Sequence, residues 1–188
     1  RVANSLQLIS AMVSLQTKAV SGEARNALEA TQRRIGAVAQ VHRRLYMTDE
    51  IGSIDMREFL AAMLEELGES WCGGRRRITL KADPIHLPTD RAVSLGVIVN
   101  ELVGNACKYA YGDDVDGGEI RVLLNRDGAD GFLLAVEDDG VGINDGAMPK
   151  GTGLGTRILK AMGQSLQSAI NYEAQPTGVR ATLRAALA

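Results

Sequence analysis

The 188-residue sequence contains no run of eighteen uncharged apolar residues, so no segment reads as a membrane helix. Its first residues also lack the basic and apolar regions of a secretion signal. No initiator methionine precedes Arg1, which opens in what reads as the middle of a helix, and the sequence is read as part of something longer. An excess of charge is missing too: the net charge is −2, which argues against a dedicated nucleic-acid surface, although residues 1–52 carry 7 basic and 4 acidic side chains. Cysteine is scarce. Cys72 and Cys107 lie far apart, with no CxxC spacing and no clustered histidines for a zinc site, and both are expected to be reduced thiols of a cytosolic protein. The one tight basic run, Arg75, Arg76 and Arg77, is read as a solvated loop ahead of a strand.

Apolar residues recur at helical spacing in the first quarter of the chain. Leu6, Ile9, Val13 and Val20 form one row and Leu8, Met12 and Leu15 a second beside it, so the helix needs two neighbours. Ser21, Gly22 and Glu23 interrupt the pattern, which resumes through Leu28, Thr31, Ile35, Val38, His42 and Leu45. The expectation is a helical hairpin that buries both rows by pairing with a second copy through residues 1–47, giving a four-helix bundle.

A second region begins near Ser53, placing domains at 1–52 and 53–188. Asp55 and Glu58 have capping-box spacing ahead of a helix to about Trp71. Strand-like alternation follows at Arg77–Lys81, then a helix from about Asp90 to Ala110 and strands at Glu119–Leu124 and Phe132–Glu137. A Gly-rich stretch leads to a helix at about Leu154–Leu166, and a hairpin, Ala169–Glu173 with Val179–Ala185, closes the chain around a Pro-Thr-Gly turn. Helices mixed with mostly antiparallel strands, without βαβ regularity, indicate an α+β sandwich.

Three motifs carry chemistry. Glu101, Asn105 and Lys108 lie at i, i+4 and i+7 of the long helix and share one face. An acid, an amide and an amine there suit a hydrated Mg²⁺ carrying nucleotide phosphates, with Asn105 as the metal ligand, because Mg²⁺ takes few protein oxygens and keeps much of its water. Asp138-Asp139-Gly140-Val141-Gly142 follows a strand directly. A carboxylate at a strand end can accept a hydrogen bond from the amine of adenine, a role given to Asp138, while Gly140 and Gly142 permit positive φ and keep side chains away from the base. Gly151-Thr152-Gly153-Leu154-Gly155 opens a helix, where free amides and the helix dipole favour phosphate. The Gly-Lys-Ser/Thr ending of a P-loop is absent, and so is a dinucleotide GxGxxG.

Together, in this order, the motifs resemble the N, G1 and G2 boxes of the Bergerat-type ATP-binding fold shared by histidine kinases, type II topoisomerases, mismatch-repair ATPases and the ninety-kilodalton chaperones. The stretch Arg1-Val2-Ala3-Asn4-Ser5-Leu6-Gln7-Leu8-Ile9 resembles the region just after the phosphoacceptor in short-lid histidine kinases of the HWE type, and Val41-His42-Arg43-Arg44-Leu45-Tyr46 and Leu87-Pro88-Thr89-Asp90 are similar to other parts of the same kinases. Only the eight residues Ile143–Lys150 separate the second and third motifs, and no phenylalanine-containing box is present, consistent with a short lid. The tryptophan signature of the HWE group is missing and Asn100 stands where that group often has histidine, which favours its sister group.

The resemblance implies a bacterial, cytoplasmic sensor kinase core that uses ATP and Mg²⁺, phosphorylates a histidine lying just ahead of Arg1 and hands the phosphoryl group to an aspartate on a response-regulator receiver domain. It implies that Gly151 to Gly155 wrap the triphosphate, that Lys108 contacts phosphate, that Glu101 polarises the histidine and that Asn4 orients water in the reverse phosphatase reaction. His42 falls on the apolar helical register and is read as a packed side chain; His86 is given no chemistry. Two other readings stand beside the kinase. One is a non-catalytic dimeric phosphotransfer adaptor, or a pseudokinase or phosphatase of the same fold. The other is an ATP-gated clamp, which would need a long lid and a transducer domain.

Overall fold

The computed structural model describes residues 2–22, 24, 25, 27–29, 31, 32, 35, 36, 39, 53–73, 75–111, 117–142 and 154–188. The chain divides into two compact units, Arg1–Ile51 and Gly52–Ala188. In the first, helix α1 spans Val2–Ala19, and described residues from Gly22 to Ala39 are again helical. Gly22 has φ +62° at the predicted interruption, a left-handed conformation that glycine adopts at little cost. On α1, Ile9 (46 % exposed), Met12 (65 %) and Leu15 (68 %) remain open to solvent. His42 lies outside the described residues.

The second unit is a five-stranded sheet packed with helices, the α+β architecture expected from the sequence. Its strands are β2 (Arg77–Ala82), β4 (Glu119–Asp127), β5 (Gly131–Asp138), β6 (Asn171–Ala174) and β7 (Val179–Ala186), in the order β2-β4-β5-β7-β6. A separate two-residue pair joins β1 (Ile54–Asp55) to β3 (His86–Leu87), and His86 stands 3.9 Å from the Asp55 carboxylate. All neighbours in the large sheet are antiparallel except β2 and β4. That single parallel pair sits in a sheet that is otherwise antiparallel, as the lack of βαβ regularity in the sequence leads one to expect. Residues 83–118, including a long helix, make the crossover that two parallel strands require.

Helix α2 (Met56–Cys72) starts where predicted: the Asp55 carboxylate accepts hydrogen bonds from the Arg57 and Glu58 amides at 2.8 and 3.3 Å. It ends on Gly73, left-handed at φ +57°, whose N–H caps the Gly68 carbonyl. Helix α3 (Thr89–Asn105) is buried along almost its whole length. It does not run unbroken to Ala110 as predicted; Ala106–Ala110 form a turn of π-helix, a geometry that a 3.6-residue apolar period cannot signal. Helix α4 (Leu154–Ser165) lies beside α3, with the Ser165 and Ser94 hydroxyls 2.7 Å apart. The core follows the alternation of the central strands, with buried Ala135 a departure from it on β5. Ile120, Val122 and Leu124 of β4 and Phe132, Leu134 and Val136 of β5 are buried, while Arg121, Glu137 and Arg180 form a charged row across the opposite face.

Candidate functional site

The buried row of β5 continues one step beyond its apolar members. Period-two alternation puts Asp138 on the same face as Phe132, Leu134 and Val136, and it is 8 % exposed. An isolated carboxylate there would be costly, and its neighbours supply partial compensation. Its oxygen accepts from the Gly140 amide at 3.0 Å. Burial pushes its pKa above the ordinary carboxylate range and the like charge of Asp139 adds to that, while hydrogen bonds from the Gly140 and Val179 amides and the charge of Arg121 pull it back.

One glycine clears space at this carboxylate and two more shape the loop beside it. Gly178 has φ +79°, and a Cβ there would strike the Asp138 carbonyl and come within 2.8 Å of its carboxylate oxygen. Gly142 has the positive φ expected of it, at +75°. Gly140 does not have a positive φ, correcting the reason given for it: a Cβ at Gly140 would collide with the Ala110 carbonyl, so the requirement there is close approach.

That approach links the first motif to the second. The Val141 amide donates to the Ala110 carbonyl at 2.8 Å, and the Asp139 amide donates to the Tyr111 hydroxyl at 3.1 Å. The same hydroxyl donates to the Glu119 carbonyl at 2.7 Å. The segment leaving α3 is therefore stitched to the loop after Asp138. Along α3 the polar stripe runs from Glu101, 3 % exposed and partnered, through half-buried Asn105 to exposed Lys108. Lys108 is the third residue of the π-turn, where the chain winds more loosely than the α-helical spacing assumes.

Asp139 points away from Asp138 in role as well as position. It takes two hydrogen bonds from Arg121, at 2.7 and 3.0 Å, and these hold its pKa below the usual carboxylate range. Arg121 also reaches Glu137 at 3.2 Å and Glu119 at 3.4 Å, so one guanidinium ties the ends of β4 and β5 together. The basic run is the loop ahead of a strand that was expected, with Arg75 and Arg77 exposed and Arg76 engaged in contacts. Arg76 donates to the Gly117 carbonyl at 2.6 Å and stacks over the Tyr111 ring, 4.6 Å from its centroid, and Arg77 opens β2.

The thiol assignment is overturned: Cys72 and Cys107 form a disulfide. Thirty-five positions of sequence separation conceal that the end of α2 meets the π-turn, where the two Cα atoms are 5.2 Å apart, within the span a disulfide bridges. Of the third motif, Leu154 and buried Gly155 open α4, while Gly151, Thr152 and Gly153 lie outside the described residues. Asn4 lies in α1. Tyr111, Arg121 and Gly178 were not singled out from the sequence. A glycine in a Pro-Thr-Gly turn and a tyrosine just past an apolar helix carry no local sign that either abuts a strand end far away.

Comparison with known proteins fits this geometry. Residues 1–71 match a family described as histidine kinase, and residues 90–188 match the histidine kinase-, DNA gyrase B-, and HSP90-like ATPase family. The chain belongs to that ATPase family and, within it, to the histidine kinases. It is 31 % identical over 166 residues to the sensor histidine kinase PdtaS of Mycobacterium tuberculosis, covering 86 % of this chain and 32 % of PdtaS. It is 25 % identical over 185 residues to blue-light-activated histidine kinase 2 of Erythrobacter litoralis, covering 95 % and 52 % respectively. The chain thus spans about a third to a half of these curated relatives. The solved histidine kinase domain of an Erythrobacter litoralis blue-light activated kinase superposes with a TM-score of 0.74 at 18 % identity, over 98 % of this chain and 94 % of that one, a likeness of fold. Among the described residues no helix is long and apolar enough to cross a membrane.

Proposed function

We propose that the chain is the catalytic core of a two-component sensor kinase. In this reading the second unit, 53–188, binds Mg·ATP, and the first, 1–52, pairs with a second copy and carries the phosphotransfer helices. The observation that supports it most is the placement of Asp138, a buried carboxylate at the head of the core face, with Gly178 putting no side chain against it.

Asp138 accepts the hydrogen bond of the adenine amine, a charge-assisted contact shielded from water. Asn105, half-buried at the end of α3, offers its amide oxygen to Mg²⁺, which needs few protein ligands because phosphates and water complete its shell. When bound, the ion neutralises charge on the phosphate oxygens. Exposed Lys108 contacts phosphate from the π-turn, and the motif Gly151, Thr152, Gly153, Leu154 and Gly155 supplies backbone amides to the phosphates. The bond from the γ-phosphorus to its bridging oxygen breaks, a bond to an imidazole nitrogen forms, and ADP leaves. The accepting histidine is the one the resemblance puts just ahead of Arg1, and Glu101 polarises its ring. The phosphoryl group then passes to an aspartate on a receiver domain, with Asn4 orienting water in the reverse reaction.

Titration of the full-length protein with Mg·ATP, followed by assay for acid-labile phosphate, tests this reading. Submillimolar binding and phosphohistidine are expected in the wild type, and Asp138→Asn should weaken the binding by about tenfold or more and lower phosphohistidine formation with it. Absence of binding at millimolar Mg·ATP would instead favour the non-catalytic adaptor.

A further inference from the structure

The nucleotide reading leaves the cysteine pair unused, although the pair sits against the segment that joins the first two motifs. Cys107 is the second residue of the π-turn Ala106–Ala110, between Asn105 and Lys108, and Cys72 is the last residue of α2. Four residues further along in both segments, Arg76 stacks over Tyr111. The same two pieces of chain are thus tied twice in parallel, once covalently and once through a cation and a ring. The segment so held ends in Ala110 and Tyr111, whose carbonyl and hydroxyl receive the amides of Val141 and Asp139 beside the buried Asp138.

We propose that Cys72 and Cys107 are a reversible thiol–disulfide modification site that sets nucleotide affinity, the disulfide form binding Mg·ATP more tightly. The proposal rests on the nucleotide reading above. A protein that consumes ATP works where thiols are kept reduced, and a disulfide in such surroundings is a redox sensor more often than a permanent staple. The π-turn is a rarely populated geometry, and a cross-link at its second residue restricts its escape to other conformations. Breaking the link removes the covalent member of this pair of ties and leaves the Arg76–Tyr111 stack and the hydrogen bonds of Ala110 and Tyr111 to keep the π-turn in register with Asp138.

The exchange balances with a dithiol as co-reactant. Cys72 is buried, whereas Cys107 is partly exposed, so the reductant's thiolate attacks the Cys107 sulfur. The Cys72 thiolate leaves and takes up a proton. The second thiol of the reductant then attacks the mixed disulfide, the Cys107 thiolate departs and is protonated, and the reductant ends as its own disulfide, having given two electrons. Oxidation by a disulfide of the glutathione type runs the same steps backwards.

The full-length protein is prepared oxidised and, separately, reduced with excess dithiothreitol, and each form is examined by thiol alkylation with mass spectrometry, Mg·ATP titration and hydrogen exchange over residues 105–111. Expected are alkylation of Cys72 and Cys107 only after reduction, faster exchange across 105–111 in the reduced form, and a Kd for Mg·ATP raised about fivefold or more, the scale of an ordinary coupling between sites. Cys72→Ser/Cys107→Ser should match the reduced wild type and ignore the reductant; Cys72→Ala, which leaves the π-turn sequence intact, provides the same test if the double variant does not fold. Equal affinities in the two redox forms, or two free thiols after oxidation, would overturn the proposal. If neither form binds Mg·ATP, the nucleotide reading falls and the affinity switch with it; redox-dependent exchange at 105–111 would then show that the conformational coupling alone survives.

Discussion

The two units differ in how completely they satisfy themselves. In Gly52–Ala188, alternation along β4 and β5 delivers every other side chain to a closed interior, and the large core residues Phe132, Leu134, Ile120 and Leu124 are fully buried. In Arg1–Ile51, α1 shows Ile9, Met12 and Leu15 to water on a helix patterned to bury them. A two-layer α+β sandwich completes its core within one chain, whereas a helical hairpin with two apolar rows completes it only against another surface. The contrast suits a division of labour in which the second unit recognises a small ligand by itself and the first acts through a partner.

The sharpest way to break that contrast is to disable the ligand site alone. Asp138→Asn removes a charge-assisted hydrogen bond of about 1.5 to 3 kcal/mol, so Mg·ATP affinity should fall by about tenfold to a hundredfold or more in calorimetry. Because the folded carboxyl has a raised pKa, its ionised form opposes folding at neutral pH, and the variant's melting temperature should hold or rise. A variant that lost both affinity and stability would point to misfolding instead. Conversely, Met12→Glu/Leu15→Glu should weaken self-association by about tenfold or more in sedimentation equilibrium, given about 1.5 to 3 kcal/mol for each apolar side chain buried, and leave nucleotide affinity unchanged. Loss of nucleotide affinity in that variant would erase the separation between the units.

Smaller changes probe the joint between the motifs. Gly140→Ala places a methyl group against the Ala110 carbonyl and should destabilise the second unit by about 1 to 3 kcal/mol in chemical denaturation. Tyr111→Phe deletes the hydroxyl that bridges the Asp139 amide and the Glu119 carbonyl; a loss of about 1 kcal/mol is expected, with weaker nucleotide binding. The least effect belongs to the Arg121–Asp139 pair, which is well exposed and worth at most about 1 kcal/mol. Asp139 is held below its ordinary pKa, so this stabilisation is present above the unfolded carboxyl's pKa and is lost as pH falls through the folded one. Melting curves of wild type and Arg121→Ala should therefore converge on acidification.

Sequence carried some of this plainly. Alternation at 132, 134 and 136 predicts β5, and extending it by one step predicts that Asp138 faces inward, which it does. Asp55 announces the start of α2 because a cap is a local interaction. What stayed hidden depends on tertiary approach. Gly140 was recognisable as a required glycine, but the reason for it is a carbonyl thirty positions earlier in the chain, and Gly178 guards Asp138 across a strand pair. The Cys72–Cys107 link and the Arg76–Tyr111 stack join the end of one helix to the end of another, which no periodicity encodes. The π-turn escaped because a pattern of apolar residues fixes the period of a helix and not its last turn.

Hydrogen exchange of the full-length protein with and without Mg·ATP tests most directly whether three separated motifs enclose one nucleotide. Slower exchange should develop together, with a single ligand dependence, in the peptides containing Asn105–Tyr111, Asp138–Gly142 and Gly151–Gly155, while α1 is unaffected. Protection confined to one of the three, or developing elsewhere in the chain, would contradict the account.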